Sequence, residues 1–446
     1  MIRKTNTKRN LAVSFFLILG LISYGQAQEK LTKNLSNSEV RVLIDSLKQN
    51  LIRFYIFPDQ AKNMSKYLDA QFKNGAYKRF SNPAKLSQKL TSDINTVYYD
   101  SHLKVNFEPG LIAPKMMSPA DIAQARKEAL VVEKDDNFNL QKAEILPGNI
   151  GYFLFNGFTG NVAEAKPFLN GALTFLSGTK ALIIDLRTNG GGNSNNRLEN
   201  YFFKDKTHLF DQVNTINKDT IAVYADPKIT NGPSLLMPVY ILTSKATFSA
   251  AEAFSSTMQS FRRATIIGDT TGGGSHMTGF FDLNGGFIAR IPFAKPVSTP
   301  IFKDWEGTGV IPDVPVKAAE ALHKAQEVIY RNLMTNAKND QEKRRISWAL
   351  NTIIAEQKPK NLNSALYAQY VGTYSGGLEF YMENDQLVCR NKERGVKDAF
   401  KLKPVSDRVF LLDESVQIEF IEDVNGRYSS LLMLWKSGDV TKKMKE

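Results

Sequence analysis

From Ser38 to about Tyr99 the apolar residues recur at the three- and four-residue spacing of a helix face. Val40, Leu43, Ile44, Leu47 and Leu51 form one face, Ala61, Met64 and Leu68 a second, and Leu86, Leu90, Ile94 and Val97 a third. Pro58 and Asn82-Pro83 separate them, which predicts an N-terminal helical domain over 28–105. A bridging segment, 106–147, follows and contains Glu108-Pro109-Gly110, Pro114 and Pro119. From Asn149 onward short apolar runs of strand length alternate with helix-like stretches. Gly151–Phe155, Ala181–Leu186, Val239–Thr243 and Thr265–Gly268 are the predicted strands; Ala163–Leu176, Asn195–Phe203 and Ala250–Phe261 are the predicted helices. Such alternation implies an α/β core, 148–335, with a largely parallel sheet whose chemistry lies at the carboxyl ends of the strands. Helices at about 317–356 and a linker, 336–363, lead to a last change of period. Residues 364–446 alternate apolar and polar positions, as at Val416, Ile418 and Phe420, with Asn425-Gly426 as a hairpin signal, so a small all-β, barrel-like domain is expected.

The first 27 residues follow a different rule. Arg3, Lys4, Lys8 and Arg9 precede an apolar stretch, Leu11 to Ser23, and Gly25-Gln26-Ala27 offers small residues before Gln28. An apolar run of about 13 residues falls short of the roughly 20 that span a bilayer as a helix, so a cleavable export signal is expected over an anchor. Periplasmic or extracellular residence follows, and no later segment is apolar enough to span, so the processed chain is not expected to be an integral membrane protein. The formal charge is +12, and removing the four basic leader residues leaves +8 spread along the chain. Without a basic arm or helix, nucleic-acid binding is not indicated. Cys389 is the only cysteine, which excludes an internal disulfide.

Two segments that lie just after predicted strands carry candidate chemistry, the first of them rich in glycine. Asp185-Leu186-Arg187-Thr188-Asn189-Gly190-Gly191-Gly192 turns sharply and exposes backbone N–H groups, as an oxyanion hole requires, although glycine runs also build plain loops. Ser244-Lys245-Ala246-Thr247-Phe248-Ser249-Ala250-Ala251-Glu252 follows Val239–Thr243 and opens a helix. A serine there sits at the positive end of the helix dipole and suits a nucleophile; equally, Ser249-x-x-Glu252 fits a capping box.

Together with Gly268-Asp269-Thr270-Thr271-Gly272-Gly273-Gly274 and Gly309-Val310-Ile311-Pro312-Asp313-Val314, these motifs stand in an order that resembles the C-terminal processing (tail-specific) and tricorn-core serine peptidases. The resemblance covers roughly 149–317. It implies a crotonase-like α/β fold, Ser249 as nucleophile, and the N–H groups of Ala250 and Gly191 as oxyanion donors. One branch of that family uses a lysine about 25 residues after the nucleophile, but no lysine occurs here between Lys245 and Lys295. The chain is therefore more similar to the tricorn-like branch, in which a Ser-His pair in the N-terminal part supplies the base. Tyr99-Asp100-Ser101-His102-Leu103 fits that place.

His102 is thus the first candidate for general base, with Ser101 as a polar neighbour and Glu306, in Trp305-Glu306-Gly307-Thr308-Gly309, as the orienting carboxylate. His276, in a glycine-rich loop after the nucleophile's helix, is the alternative base. His208 and His323 read as surface or packing residues. No His-Glu-x-x-His or paired-ligand spacing is present, and no metal or cofactor is implied. The bridging segment is too short for a PDZ-like domain, so short peptides or unfolded proteins are the expected partners, not protein tails. A second reading takes the interphotoreceptor retinoid-binding proteins, which share the core, as precedent for a binder of hydrophobic ligands, with Phe248, Phe280, Phe281 and Phe287 lining a pocket. A third is an inactive scaffold. A serine at a helix start, glycine donors and a histidine together favour catalysis.

Overall fold

The structure is a computed structural model that describes residues 35–446 apart from 79, 81, 110–117, 194–196, 300–301, 358–363 and 392–398. The expected export signal, 1–27, lies outside the described residues. Two units are distinguished, Met1–Glu144 with Gly151–Ala318, and Ile145–Ile150 with Ala319–Glu446.

The first unit begins with three helices, α1 (Asn37–Phe54), α2 (Pro58–Lys73) and α3 (Pro83–Val97). Each start carries its local reason. Ser36 and Glu39 form a capping box on α1, Pro58 opens α2, and Asn82 accepts the Lys85 amide at the head of α3. The apolar faces read from the sequence are the buried ones, with Ile44, Leu47, Leu51, Met64, Leu68, Leu86, Leu90 and Ile94 fully enclosed. Burying each such side chain stabilises by about 1.5–3 kcal/mol. Their core continues into Leu283, Phe287, Ala289 and Ile291, so the helices are packed directly on a sheet. That sheet is antiparallel, in the order β1 (Lys104–Phe107), β10 (Phe287–Pro296), β5 (Thr207–Asn214), β6 (Asp219–Ala225), with β9 (Met277–Asp282) also on β10.

The second sheet of this unit has the order β11 (Val314–Pro315), β8 (Ala264–Gly268), β7 (Val239–Thr243), β4 (Ala181–Asp185), β3 (Ile150–Phe155), β2 (Leu140–Leu146). The β11–β8, β8–β7 and β7–β4 pairings are parallel, and β4 and β7 are buried along their whole length. Two helices, α5 (Val162–Leu176) and α6 (Ala250–Ser260), contribute Leu169, Leu173, Phe254 and Met258 to the core beside β4 and β7. The alternation read from the sequence thus gives the parallel part; the glycine-rich segment leaves the end of β4, and the segment carrying Ser249 leaves the end of β7.

One expected element differs and two others went unread. Within the bridging segment lies α4 (Pro119–Asp135), capped by Ser118 and Asp121, with Val131 and Val132 exposed so that no apolar stripe announced it. Within the predicted helix Asn195–Phe203 the described residues form only a 3₁₀ turn, Leu198–Tyr201. The antiparallel sheet went unread because β5 and β6 are largely half-exposed and β10 carries Pro292 and Pro296, residues that argue against a strand.

In the second unit α7 (Ala321–Thr335) and α8 (Asp340–Gln357) precede two antiparallel sheets. One has the order β12 (Gly372–Tyr374), β13 (Leu378–Glu383), β14 (Gln386–Asn391), β15 (Phe400–Lys401); the other β16 (Lys403–Pro404), β17 (Val409–Leu411), β18 (Val416–Glu422), β19 (Tyr428–Trp435), β20 (Val440–Met444). The Asn425-Gly426 pair turns between β18 and β19 as expected. The first unit closes at Ala318, so α7 falls outside the core that the sequence had extended to 335.

Aromatic rings fill the centre of this unit: Phe420 stacks on Tyr370 with centroids 4.1 Å apart and meets Phe380 and Phe410 edge-on. Phe420→Ala should therefore cost about 3–5 kcal/mol, measurable as a lower urea midpoint of the transition that this unit gives.

Candidate active site

The loop from β7 to α6 is held against the loop after β4 by side chain to main chain bonds. Ser244 Oγ donates to the Arg187 carbonyl (2.5 Å), Thr247 Oγ1 to Leu186 (2.8 Å), and the Phe248 amide to Asn189 (3.1 Å). Arg187 is itself fixed: its Nε and Nη2 grip both oxygens of buried Asp185, which also accepts the Tyr152 hydroxyl. The Asp-Leu-Arg part of the motif is thus a brace that sets where the glycines begin.

Ser249 heads α6 with φ 54° and ψ −117°, far from the extended backbone of an ordinary N-cap. For a non-glycine residue this costs about 1–3 kcal/mol, strain of the kind found where a nucleophile is thrust from a strand-to-helix turn. Capping-box geometry is present, so the bland reading of Ser249 and Glu252 is satisfied too, but it does not account for the strained backbone. Gly191 presses on this turn at φ 99°. A Cβ there would lie 2.8 Å from Ser249 Cβ and 3.0 Å from the Ala250 nitrogen, which is why the position takes glycine. Gly191 thus packs against the Ser249 Cβ and the Ala250 nitrogen. The Gly191 N–H, however, donates to Asn189 Oδ1 (2.9 Å), so to receive an oxyanion it must first leave that partner.

The carboxylate of Glu252, fully buried, is the hub that sequence reading reduced to a cap. Oε2 accepts the amides of Ser249 (2.8 Å) and Gly274 (2.8 Å), and Oε1 accepts the Thr271 hydroxyl (2.5 Å) and the Gly273 amide (2.7 Å). One side chain thus fixes both the nucleophile's backbone and the 271–274 loop. The spacing of Ser249-x-x-Glu252 was the available signal.

His102 is wholly buried in the turn between α3 and β1. Its amide donates to Asp100 Oδ1 (3.0 Å), the Asp100 amide donates to Asn95 Oδ1 (2.9 Å), and buried Leu103 roots the turn in the helical core. The ring lies 4.9 Å from that of Phe248, and a Cβ on Gly274 would come within 2.5 Å of His102 Cε1. Ser249's immediate neighbour thus touches the imidazole. Nδ1 stands 3.5 Å from Glu306 Oε1, an ion-pair distance, and neither ring nitrogen has a hydrogen-bond partner among the described residues. Burying an imidazole without hydrogen bonds costs stability, and a group kept so calls for a functional explanation. The nucleophile–base bond itself is not made here; such bonds commonly tighten only with substrate.

Glu306 joins both candidate bases. Oε1 accepts the Ser101 hydroxyl (3.0 Å) and faces His102, while Oε2 accepts the amides of Ser275 (2.7 Å) and His276 (3.2 Å). Burial opposes its charge, but the two histidines and the Ser275 amide prevail and hold it below the usual carboxylate range. His276 is equally buried, with Nδ1 3.3 Å from Asp100 Oδ2 and 3.4 Å from Glu306 Oε2, and Nε2 3.6 Å from Asp304 Oδ2. Burial alone would pull it down, yet Asp100, Asp304 and Glu306 carry it up to about 9. Asp304 drops to about 2, since bonds from His276 and Ser275 overcome its burial. Asp100 and Asp304 were not singled out in the sequence. Asp100, His276 and Glu306 place ligand atoms of metal-binding types within 4.8 Å of one another, but these oxygens already accept the bonds just described and one from the Tyr55 hydroxyl (3.0 Å).

His208 is half-exposed and paired with Asp211. Phe281 stacks on Phe54 at 4.3 Å and Phe287 is sealed in the helical core, so neither lines a pocket with Phe248 as the binding reading expected.

The family model of peptidase family S41 matches residues 149–316, and that of the N-terminal domain of peptidase S41 in eukaryotic IRBP matches 29–135. Residues 149–316 are a peptidase family S41 domain. The chain is similar to carboxyl-terminal-processing peptidase 2, chloroplastic, of Arabidopsis thaliana, at 28% identity over 38% of this chain and 34% of the relative. The carboxyl-terminal-processing protease of Picosynechococcus sp. is 26% identical over 37% and 38%. The matches thus span little more than a third of either relative. Among solved structures, similarity extends to a putative peptidase from Parabacteroides merdae (TM-score 0.43, 22% identity, 64% of this chain and 90% of that one) and to the tricorn protease (TM-score 0.41, 14% identity, 64% and 35%). The S41 domain here is joined to a helical N-terminal and a β-rich C-terminal region, and no helix among the described residues is long and apolar enough to cross a membrane.

Glu252→Gln places an NH₂ group against two N–H or O–H donors. It should destabilise the protein by about 3 kcal/mol in urea unfolding, as expected for losing hydrogen bonds to a charged acceptor; an unchanged midpoint would remove Glu252 from its role as hub.

Proposed function

We propose that this chain is an exported serine endopeptidase that hydrolyses peptide bonds through an acyl-enzyme on Ser249. The observation that carries the reading is the strained Ser249 turn, wedged by Gly191, with the buried His102 imidazole, free of hydrogen bonds among the described residues, packed on the ring of neighbouring Phe248. Ser249 Oγ attacks the scissile carbonyl carbon while its proton passes to His102 Nε2. The carbonyl π pair moves to oxygen, where the Ala250 amide, and the Gly191 amide once freed from Asn189, receive the charge. Collapse expels the amine, which takes the proton from His102, and water then repeats the sequence to release the acid. Glu306, with Ser101 on the same oxygen, orients His102 through Nδ1 and steadies its imidazolium. His276, held protonated at neutral pH by three carboxylates, is poorly suited to accept a proton, which supports His102 as the base.

A crotonase-like core, periplasmic or extracellular residence and short or unfolded peptide substrates complete the proposal. The segment 106–147, with α4, offers no room for a PDZ-like domain, and the β-rich region 364–446 serves packing or recognition. Binding of a hydrophobic ligand by an inactive site is the alternative, favoured by the absence of a His102–Ser249 bond.

A fluorophosphonate should label the processed protein, and the protein should cleave unfolded casein. Ser249→Ala should abolish both, and His102→Ala should slow both by about 10²–10⁴-fold. Labelling that survives in Ser249→Ala would refute the nucleophile; a His102→Ala protein reacting at the parental rate would transfer the base to His276; an inert but ligand-binding parent would favour the alternative.

A further inference from the structure

We propose that His276 is a positioning residue, whose ring and amide clamp one oxygen of Glu306 so that the other is presented to Ser101 and His102. The inference rests on the proposed catalytic role of His102, but its geometry is independent of that role. The two oxygens of Glu306 divide their partners without overlap: Oε2 faces the Ser275 amide, the His276 amide and His276 Nδ1, and Oε1 faces Ser101 and His102. With Oε2 held by two amides and approached at 3.4 Å by His276 Nδ1, whose hydrogen bond goes to Asp100, the carboxylate is hindered from presenting a different edge to the imidazole.

Electrostatics require a cation at this place. Asp100, Asp304 and Glu306 converge on a ring that is 1% exposed. Three carboxylates, Asp100 buried and Asp304 and Glu306 partly buried, would repel if gathered without a counter-charge, which favours protonation of one of them. A neutral Glu306 would neither steady nor orient an imidazolium at His102. The remaining groups reach less of the cluster. The Tyr55 hydroxyl donates to Asp100, Tyr98 lies within electrostatic reach of all three acids, and Arg290 on β10 acts on Asp100 and Glu306 but not on Asp304, its Nε donating to Thr278. Phe57 closes the remaining side, its ring 5.7 Å from that of His276. The same cluster explains why a histidine with a pKa raised to about 9 occurs here. Its stabilising contribution is complete below about 6.5, the ordinary histidine value, and is lost as pH rises through about 9.

The test compares His276→Asn, which keeps hydrogen-bond donors but not the charge, with His276→Lys, which restores a cation. Two readouts are taken: fluorophosphonate labelling rate, and ¹⁵N-histidine NMR of the parent and both variants, with circular dichroism to confirm folding. The parent should show His276 doubly protonated at pH 7.5. His276→Asn should displace the ring resonances of His102 and slow labelling by about 100-fold, the order associated with a misplacement of about 1 Å. His276→Lys should recover most of the rate and return the His102 resonances toward their parental positions, and the His102→Ala, His276→Lys double variant should stay silent, showing that lysine has not become the base. A neutral His276 at pH 7.5, undisplaced His102 resonances in His276→Asn, or a lysine variant no better than asparagine would each overturn the clamp. If the parent itself is not labelled, the peptidase reading fails, while the NMR arm still decides whether His276 sets the position of His102.

Discussion

A single buried carboxylate, Glu252, ties the nucleophile to everything around it. Its four accepted bonds lock the Ser249 amide and the 271–274 loop to one another. That loop in turn carries Ser275 and His276, which hold Glu306, and Gly273 accepts the Gly307 amide (2.9 Å). Buried hydrogen bonds to a charged acceptor are costly to break one at a time, so the strained Ser249 backbone persists only because this network over-determines it.

The site is assembled from distant stretches of chain on two different sheets. The parallel sheet supplies Gly191 and Ser249 from the ends of β4 and β7, where helix dipole and exposed amides favour developing negative charge. The antiparallel sheet and the helices packed on it supply His102, placed by Leu103 and Val105 in the helical core and by the pairing of β1 with β10. Ser249 and His102, the proposed nucleophile and base, therefore depend on separate cores, and a small shift of one against the other alters their approach. On the proposed mechanism, the absence of a His102–Ser249 bond and the Asn189 contact that occupies the Gly191 amide both require the site to tighten when substrate arrives.

Much of this was legible in the sequence because it rests on local rules. Helix faces such as Val40, Leu43, Ile44 and Leu47 repeat at a fixed period, buried parallel strands such as Ala181–Asp185 are uniformly apolar, and Asn425-Gly426 has few uses besides a hairpin. Ser249, Gly191 and His102 were singled out through the family resemblance that the ordered motifs carry. Position in the fold was the illegible part. Nothing local distinguishes Asp100 or Asp304 from a solvated acid, and only convergence on His276 gives them meaning. The antiparallel sheet hid behind half-exposed strands and the prolines of β10, and α4 lacks the apolar stripe that reveals a helix. Glu252 was visible as a letter in a capping pattern, but its bonds to Thr271, Gly273 and Gly274 span about twenty residues of intervening fold.

The central claim is that one hydroxyl in the chain is activated above all others. Mass-spectrometric mapping of the covalent adduct formed by a fluorophosphonate with the folded protein tests it most directly. The account predicts a single modified peptide, with the phosphonyl group on Ser249, and no adduct after denaturation; modification of a different serine, or of several to similar extents, would contradict it.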